Sequence, residues 1–252
     1  MEYKTIVITG ATSGIGEMLA KKLVSKNCVM ILTGRNKNKL LKLSKELSKI
    51  ARQVIIYPMD LLNQSSIYKF SRLIAQKKVT ILINSAADFG PVKNILNVSN
   101  EEVIDGFRTN VLAPISLTQA VLSYMLENNY GRIINIGSTG GLGGYPLRAP
   151  YCLSKNALIA FTKTLNGEIA SGEYGKYLDI KSFCVCPGPV KGARLEKQIR
   201  SRAKYKKISS SKCREKFTAI LGRVLEGDEV CDRIINLLRP GDDFKGQDVI
   251  TF

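Results

Sequence analysis

Short β-branched or apolar runs alternate along the chain with longer stretches whose apolar residues recur every three or four positions. The runs read as strands and the stretches as helices. Thr5 to Thr9 (TIVIT), Cys28 to Thr33, Gln53 to Pro58, Thr80 to Asn84, Ile133 to Ile136 and Asp179 to Cys186 are the runs. Cys28 to Thr33 is apolar almost throughout, which suits a strand buried on both faces. Glu17 to Lys26 continues a helical stripe of Ile15, Leu19, Leu23 and Val24. Asn36 to Ile50 carries Leu40, Leu41, Leu43 and Leu47, and Asn63 to Gln76 is the next helix. Ser99 and Glu102 have capping-box spacing and open another. Pro114 bends or breaks the long helix that runs to Glu127. Tyr151 to Ser171 puts Leu158, Phe161, Leu165 and Ile169 on one face, and Gly222 to Leu238 is a last helical region. Alternation of this kind predicts an open α/β fold, Rossmann-type and doubly wound, of about seven parallel strands with helices on both faces. The 252 residues fit a single domain, without repeat, linker or second domain.

Two stretches carry chemistry. Gly10-Ala11-Thr12-Ser13-Gly14-Ile15-Gly16 joins the first strand to the first helix. Glycines there let the backbone turn tightly and approach a pyrophosphate seated on the helix N-terminus. The spacing is G-x-x-x-G-x-G, and a plain tight turn is the alternative. Tyr151 and Lys155 stand four residues apart, on one helix face. An ammonium near the phenol oxygen favours the phenolate and pulls the tyrosine pKa down from about 10. Tyr151 then serves as proton donor and acceptor near neutral pH. Ser138, after the Ile133 to Ile136 run, offers a hydroxyl to hold a substrate oxygen. An ordinary surface pair of tyrosine and lysine is the bland alternative. The chain has no histidine. That excludes histidine triads, H-E-x-x-H zinc sites and histidine bases, and leaves acid/base work to Tyr, Lys, Cys or carboxylates.

Charge and cysteines change the picture a little. The net charge is +17 and the pI about 9.7. The lysines are spread over the helices, and the 7% aromatic content supplies no stacking platform. Both speak against a nucleic-acid partner. The charge does attract anionic small molecules. Six cysteines show no C-x-x-C or zinc spacing, so no metal is expected and reduced thiols in a cytoplasmic protein are. Cys184 and Cys186, two apart in a strand, face the same side. No apolar run reaches membrane-spanning length, and Met1 to Lys4 leads straight into the first strand without a signal peptide.

Taken together, TGATSGIG at 9–16, Asn84, Asn110, Ser138, YCLSK at 151–155 and PGPV at 187–190 resemble the short-chain dehydrogenase/reductase family. Order and spacing agree over nearly the whole chain. The resemblance implies reversible hydride transfer between NADP(H) and an alcohol/ketone pair, in a homotetramer. Within the family it points to 3-oxoacyl-acyl-carrier-protein reductases and to sugar or polyol dehydrogenases. It implies Tyr151 as acid/base, Lys155 lowering its pKa and holding the nicotinamide ribose, Ser138 orienting the carbonyl, and Asn110 kinking its helix and holding a water of the proton relay. It gives the cofactor to Gly10, Thr12, Ser13, Gly14, Ile15 and Gly16, with Asp60 at the adenine amino group. Asn84 and Ala86 lie at the adenine ribose, and Pro187, Gly188 and Val190 close over the nicotinamide. For Asp60, a helix N-cap is the alternative. Gly246 to Ile250 resembles the family's last strand. The chain departs from the family at Ser85, which replaces an asparagine. Ala87 replaces a glycine and restricts the backbone, and Gly192 stands where a threonine is common.

Two expectations concern selectivity. The second strand ends in Thr33-Gly34-Arg35-Asn36, with no acid to take the adenosine ribose, and Lys37 and Lys39 follow. A basic residue at that position accommodates the extra phosphate of NADP, so NADP(H) is favoured over NAD(H). Lys191 to Lys207 holds eight basic residues and one acid. By resemblance it belongs to a mobile substrate lid at about 190–215. Arg148, Lys191 and Arg194 are expected at one pocket mouth, where they would hold an anionic substrate; a solvated basic helix is the alternative. A catalytically silent NADP-binding regulator is the alternative to an enzyme, and the complete set of Asn110, Ser138, Tyr151 and Lys155 argues against it.

Overall fold

The structure is a computed structural model that describes residues 4–175, 179–221, 223–239 and 247–252. Gly222 and Gly246, named above, lie outside them. The strands are β1 (Lys4–Thr9), β2 (Cys28–Gly34), β3 (Gln53–Pro58), β4 (Val79–Asn84), β5 (Tyr130–Ile136), β6 (Asp179–Cys186) and β7 (Val249–Thr251). They form one sheet in the order β3-β2-β1-β4-β5-β6-β7, and every pairing is parallel. The expected doubly wound α/β fold is therefore the one found.

Side chains alternate across each strand, so one strand feeds two cores. Ile6, Ile8, Met30 and Leu32 face α1 (Gly14–Leu23), α2 (Lys37–Leu47) and α10 (Gly227–Leu237), where Leu19, Leu40 and Ile234 meet them. Val7, Ile31 and Leu82 face the opposite layer. There α3 (Gln64–Ala75), α5 (Ala113–Glu127) and α7 (Ala149–Ser171) contribute Phe70, Leu117, Val121 and Leu165. The chain leaves β3 at one edge, crosses in α3 and resumes in β4 beside β1. The order thus reverses between β1 and β4, and a crevice opens beyond their carboxyl ends.

Three local features bear on the site. The capping box that opens α4 (Asn100–Phe107) is present: Ser99 N–H donates to Glu102 Oε2 at 2.9 Å, and Glu102 N–H to Ser99 Oγ at 3.3 Å. Between α4 and α5 the backbone widens into a π-helical turn over Arg108–Leu112, where Ala113 N–H donates five residues back to Arg108 O. Pro114 explains it. An α-helical bond to the Asn110 carbonyl needs the N–H of residue 114, and proline has none.

Third, the basic segment at 190–215 forms two helices, α8 (Ala193–Lys206) and α9 (Ser210–Leu221). Leu195, Ile199, Ala203 and Cys213 bury a small core between them. Leu195, Ile199 and Ala203 recur every four residues, a stripe that the surrounding lysines and arginines obscure. Among the described residues, no helix is long and apolar enough to cross a membrane. All six cysteines are free, and Cys184 and Cys186 share a buried face with their sulfurs 3.8 Å apart.

Candidate active site

The crevice begins at the end of β1. Thr9 Oγ1 accepts the amides of Ser85 (3.1 Å) and Ala86 (3.0 Å), which ties the end of β1 to the chain leaving β4. Gly10 follows with φ of 68°, and a Cβ there would stand 2.8 Å from Ala86 Cα. Only glycine meets both conditions. At Gly14 and Gly188 a Cβ would meet nothing within 4 Å, so both backbones border open space. Helix α1 starts at Gly14, and its N-cap Ser13 makes no side-chain capping bond. The amides of its first turn are thus left for a ligand.

The cleft has two connected halves. Named for the roles that the sequence leads one to expect, the catalytic half encloses about 1000 Å³ and the adenosine half about 920 Å³; Ser13, Ala87 and Arg194 line both. Ser13, Gly14, Ile15, Ser138, Tyr151 and Lys155 line the first, joined by Pro187, Gly188 and Val190. Gly10, Thr12, Arg35, Asp60 and Ala86 line the second. Gly16 packs beneath the turn instead, where a Cβ would stand 2.6 Å from Gly10 O. Asn84 is also elsewhere. It is buried and donates to Asn135 Oδ1 at 2.9 Å, and Asn135 in turn donates to Thr162 Oγ1 at 3.0 Å. Its side chain ties β4 to β5 and lines neither half. Asp60 accepts Leu62 N–H at 3.1 Å; it is not a helix N-cap, because Asn63 caps α3.

In the catalytic half, Ser138 ends the loop after β5 and caps the short helix α6 (Thr139–Gly143), accepting Gly140 N–H at 3.1 Å. Tyr151 lies in the first turn of α7 and is 8% exposed. The expected downward pull of Lys155 on its pKa is not what the structure has. Burial pushes the phenol up, and the Ser138 hydroxyl, then Arg148 and Arg194, oppose that push. Lys155 shares the helix face, but its Nζ donates to Ile136 O at 2.5 Å and stands 5.9 Å from the Tyr151 ring centroid. A buried ammonium takes the strongest acceptor within reach, here a carbonyl at the end of β5. Desolvation pushes Lys155 down to about 8.

Asn110 sits in the π turn, fully buried. Its Oδ1 accepts Asp88 N–H (2.8 Å), and its Nδ2 donates to Asp88 O (2.8 Å) and Ser154 Oγ (2.9 Å). It fastens the loop after β4 to α7.

The three cations expected at one mouth all line the catalytic half, each in a different setting. Lys191 touches the cleft wall, but its side chain is 70% exposed and pairs with Glu226 at 2.8 Å. The backbone turns it there: Lys191 N–H donates to Leu225 O at 2.9 Å, so Glu226 lies alongside. Arg148 is 4% exposed and packs against Tyr151. Only Arg194 faces both halves of the cleft, its guanidinium carbon 5.0 Å from the Phe89 ring centroid.

Phe89 and Tyr145 are among the wall residues that sequence reasoning missed. Phe89 stacks on Tyr151 with ring centroids 5.2 Å apart and planes 17° apart. The Tyr145 phenol is hydrogen-bonded to Thr139 Oγ1. An aromatic residue between Asp88 and Gly90, just past a strand's carboxyl end, was the available signal. Gly192 has φ of 143°, which L side chains rarely adopt, so the glycine belongs to the entry of α8. Ala87 has no positive φ and needs no such allowance.

Comparison with known proteins agrees with this architecture. Residues 4–204 match the family model described as short chain dehydrogenase, and the chain belongs to that family. Human 17-beta-hydroxysteroid dehydrogenase 13 is 31% identical over 185 residues, which are 72% of this chain and 60% of that protein. The chain thus spans less than two thirds of this relative. The 3-oxoacyl-acyl-carrier-protein reductase of Rickettsia bellii (strain RML369-C) is 34% identical over 197 residues, 77% of this chain and 76% of that one. An actinorhodin polyketide ketoreductase solved with NADPH superposes with a TM-score of 0.85 at 27% identity, covering 100% of this chain and 97% of that chain. An NAD+-bound xylitol dehydrogenase has a TM-score of 0.86 at 23% identity, covering 100% and 98%.

Proposed function

We propose that this protein interconverts a secondary alcohol and a ketone with NADP(H), using Tyr151 as the acid/base. One observation carries the reading. Tyr151, Ser138 and Lys155 line one wall of a cleft at the sheet's switch point, in a chain without histidine. The cleft fits a nicotinamide dinucleotide: the backbones at Gly14 and Gly188 border open space, and the first turn of α1 has amides to offer a pyrophosphate. When bound, the reduced cofactor supplies the hydride. Ser138 Oγ holds the carbonyl oxygen beside Tyr151. The Tyr151 O–H bond breaks and its proton goes to the developing alkoxide, leaving a phenolate. Lys155 and Arg148 supply positive charge around it. Asn110 keeps the Asp88–Phe89 loop in register with α7; the water relay that the family resemblance gives it fits the carbonyl that Pro114 deprives of an α-helical partner.

The preference for NADP(H) rests on Arg35 and Lys39, which line the adenosine half at the end of β2. The NADPH-bound ketoreductase is compatible with it, and the NAD+-bound dehydrogenase shows that the fold alone does not decide. Of the substrate contacts, Arg194 is the cation available to an anionic group. The exposed Ile104, Leu112 and Leu153 on α4, the π turn and α7 are compatible with burial between subunits, and the homotetramer itself rests on the family resemblance. A cytoplasmic setting fits six free thiols.

The test is a carbonyl panel of 3-oxoacyl thioesters, oxo acids and sugar ketones, followed by loss of reduced-nicotinamide absorbance with NADPH or NADH. The expected result is turnover of at least one class with NADPH preferred. No oxidation of either cofactor across the panel, or a preference for NADH, would overturn the reading.

A further inference from the structure

Arg148 lies in the loop that turns from α6 into α7, and the backbone there is held in an unusual shape. Leu147, just before it, has φ of 69°, a conformation that a non-glycine residue seldom takes. Two bonds across to the loop after β4 hold it. Lys93 N–H donates to Leu147 O at 3.2 Å, and Arg148 Nη2 donates to Phe89 O at 2.8 Å. The outcome is a guanidinium inside the protein. Its carbon lies 4.7 Å from the Tyr151 ring centroid and 5.8 Å from that of Phe89.

Among the described residues, no carboxylate lies within ion-pair distance of Arg148, and its buried Nε has no hydrogen-bond partner. A buried cation without a counter-ion is costly to keep. The loop does not need the charge, since a neutral donor would satisfy the Phe89 carbonyl equally well. Tyr151 is the neighbour that gains from it. A flat guanidinium packs on an aromatic ring and steadies it. It also attracts the negative charge that appears when the phenol gives up its proton. Lys155, the expected source of that charge, is farther from the ring and turned to Ile136 O.

We propose that Arg148 is a positioning residue for Tyr151, holding its ring against Phe89 and stabilising the phenolate left by proton transfer. The inference rests on Tyr151 being the acid/base. After the Ser138 hydroxyl, Arg148 is what most opposes the upward push of burial on Tyr151, and Arg194 follows. The titratable and charged groups around the pair are Asp88 on the loop after β4, Tyr145 before α7, Cys152 and Lys155 on α7, and Arg194 and Arg202 on α8. Of these, Tyr145 and Cys152 also feel the Arg148 charge, which opposes the upward push of burial on both.

The test is the pH profile of kcat/KM for alcohol oxidation, the direction in which Tyr151 must be ionised. R148Q keeps a donor for Phe89 O and removes the charge; R148K keeps the charge and shortens the fork. A lost cation raises the tyrosine pKa, so the limb in R148Q should move up by about one pH unit, a tenfold loss of rate at a fixed pH below it. In R148K it should stay within a few tenths of a unit. A purely structural role would lower the rate at every pH and leave the limb in place, and that result overturns the proposal, as does an equal shift in both variants. A second measurement reads the same pKa without turnover. The tyrosinate difference titration of wild type minus Y151F is repeated with R148Q in both. An upward shift of the Tyr151 transition by about one unit supports Arg148 as a cation that tunes it; a transition within a few tenths of a unit of the wild type overturns it. Y151F separates the failures. If it retains normal turnover, the acid/base reading falls. If it is inactive while R148Q keeps the wild-type limb, only the role of Arg148 falls.

Discussion

At the adenosine end of the cleft, Arg35 and Lys39 stand exposed, while at the catalytic end Arg148 and Lys155 are shut away from solvent. All four are cations in one continuous crevice. In water a side-chain charge costs little to hold, and it acts on whatever anion arrives. Buried, the same charge is expensive, and it acts on its neighbours at all times. Lys155 shows this in its own proton affinity, pushed down to about 8 by desolvation. On the function proposed above, the exposed pair would govern which cofactor binds, and the buried pair the proton. Changes at the first end should alter selectivity and leave the fold alone. Changes at the second should trade activity against stability.

The sharpest way to break this contrast is Lys155→Met. Activity should be lost, while the protein becomes more stable at pH 7. The sign follows from the direction of the shift. The folded-state pKa of Lys155 lies below its unfolded value of 10.5, so burial of the ammonium costs stability in full below pH 8, and the cost fades between pH 8 and 10.5. Removing the charge recovers that cost, and the lost bond to Ile136 O offsets part of it, for a gain of about 1–3 kcal/mol. Thermal melts at pH 7 and pH 10 check it. The gap between variant and wild type should close at the higher pH, and a destabilised variant at pH 7 contradicts the account.

Next in size is Arg35→Asp, at the exposed end. A charge-assisted fork to the 2′-phosphate is lost, and NADPH affinity should fall roughly ten- to hundredfold with NADH affinity nearly unchanged. Calorimetry with both cofactors reads it, and equal affinity of the wild type for the two would refute the premise. The smallest effect separates two cations of the 190–215 segment. Arg194→Ala should raise KM for an acidic ketone about tenfold, with less effect on a neutral analogue. Lys191→Ala should leave both within about twofold, because that side chain is in water and paired with Glu226. Equal responses to the two substitutions would dissolve the distinction.

Much of this was legible in the sequence. Strands of β-branched residues announced themselves, and the spacing of Ser138, Tyr151 and Lys155 along one loop and one helix located the cleft wall that we propose as catalytic. The rest was hidden for physical reasons. Four-residue spacing sets a shared helix face, but it does not say which carbonyl a lysine Nζ will choose, and Lys155 chose Ile136 O. The sequence puts Arg148 at a pocket mouth but not inside the protein, because charged side chains seldom lie fully buried; its burial depends on Leu147 adopting a left-handed backbone, which nothing local signals. Phe89 lies in an aperiodic loop, so its stacking on Tyr151 exists only in three dimensions. Asn84, matched by motif to the cofactor, serves the sheet instead, through Asn135. The helices at 193–221 were masked by their own charge.

The claim on which everything else depends is that Tyr151 moves the proton. Tyr151→Phe removes one oxygen and keeps the ring that packs on Phe89 and Arg148. The variant should bind NADPH with wild-type affinity and turn over the ketone 10²–10⁴-fold more slowly, the usual worth of a general acid. Near-normal kcat in the purified variant, with NADPH binding intact, would contradict the account.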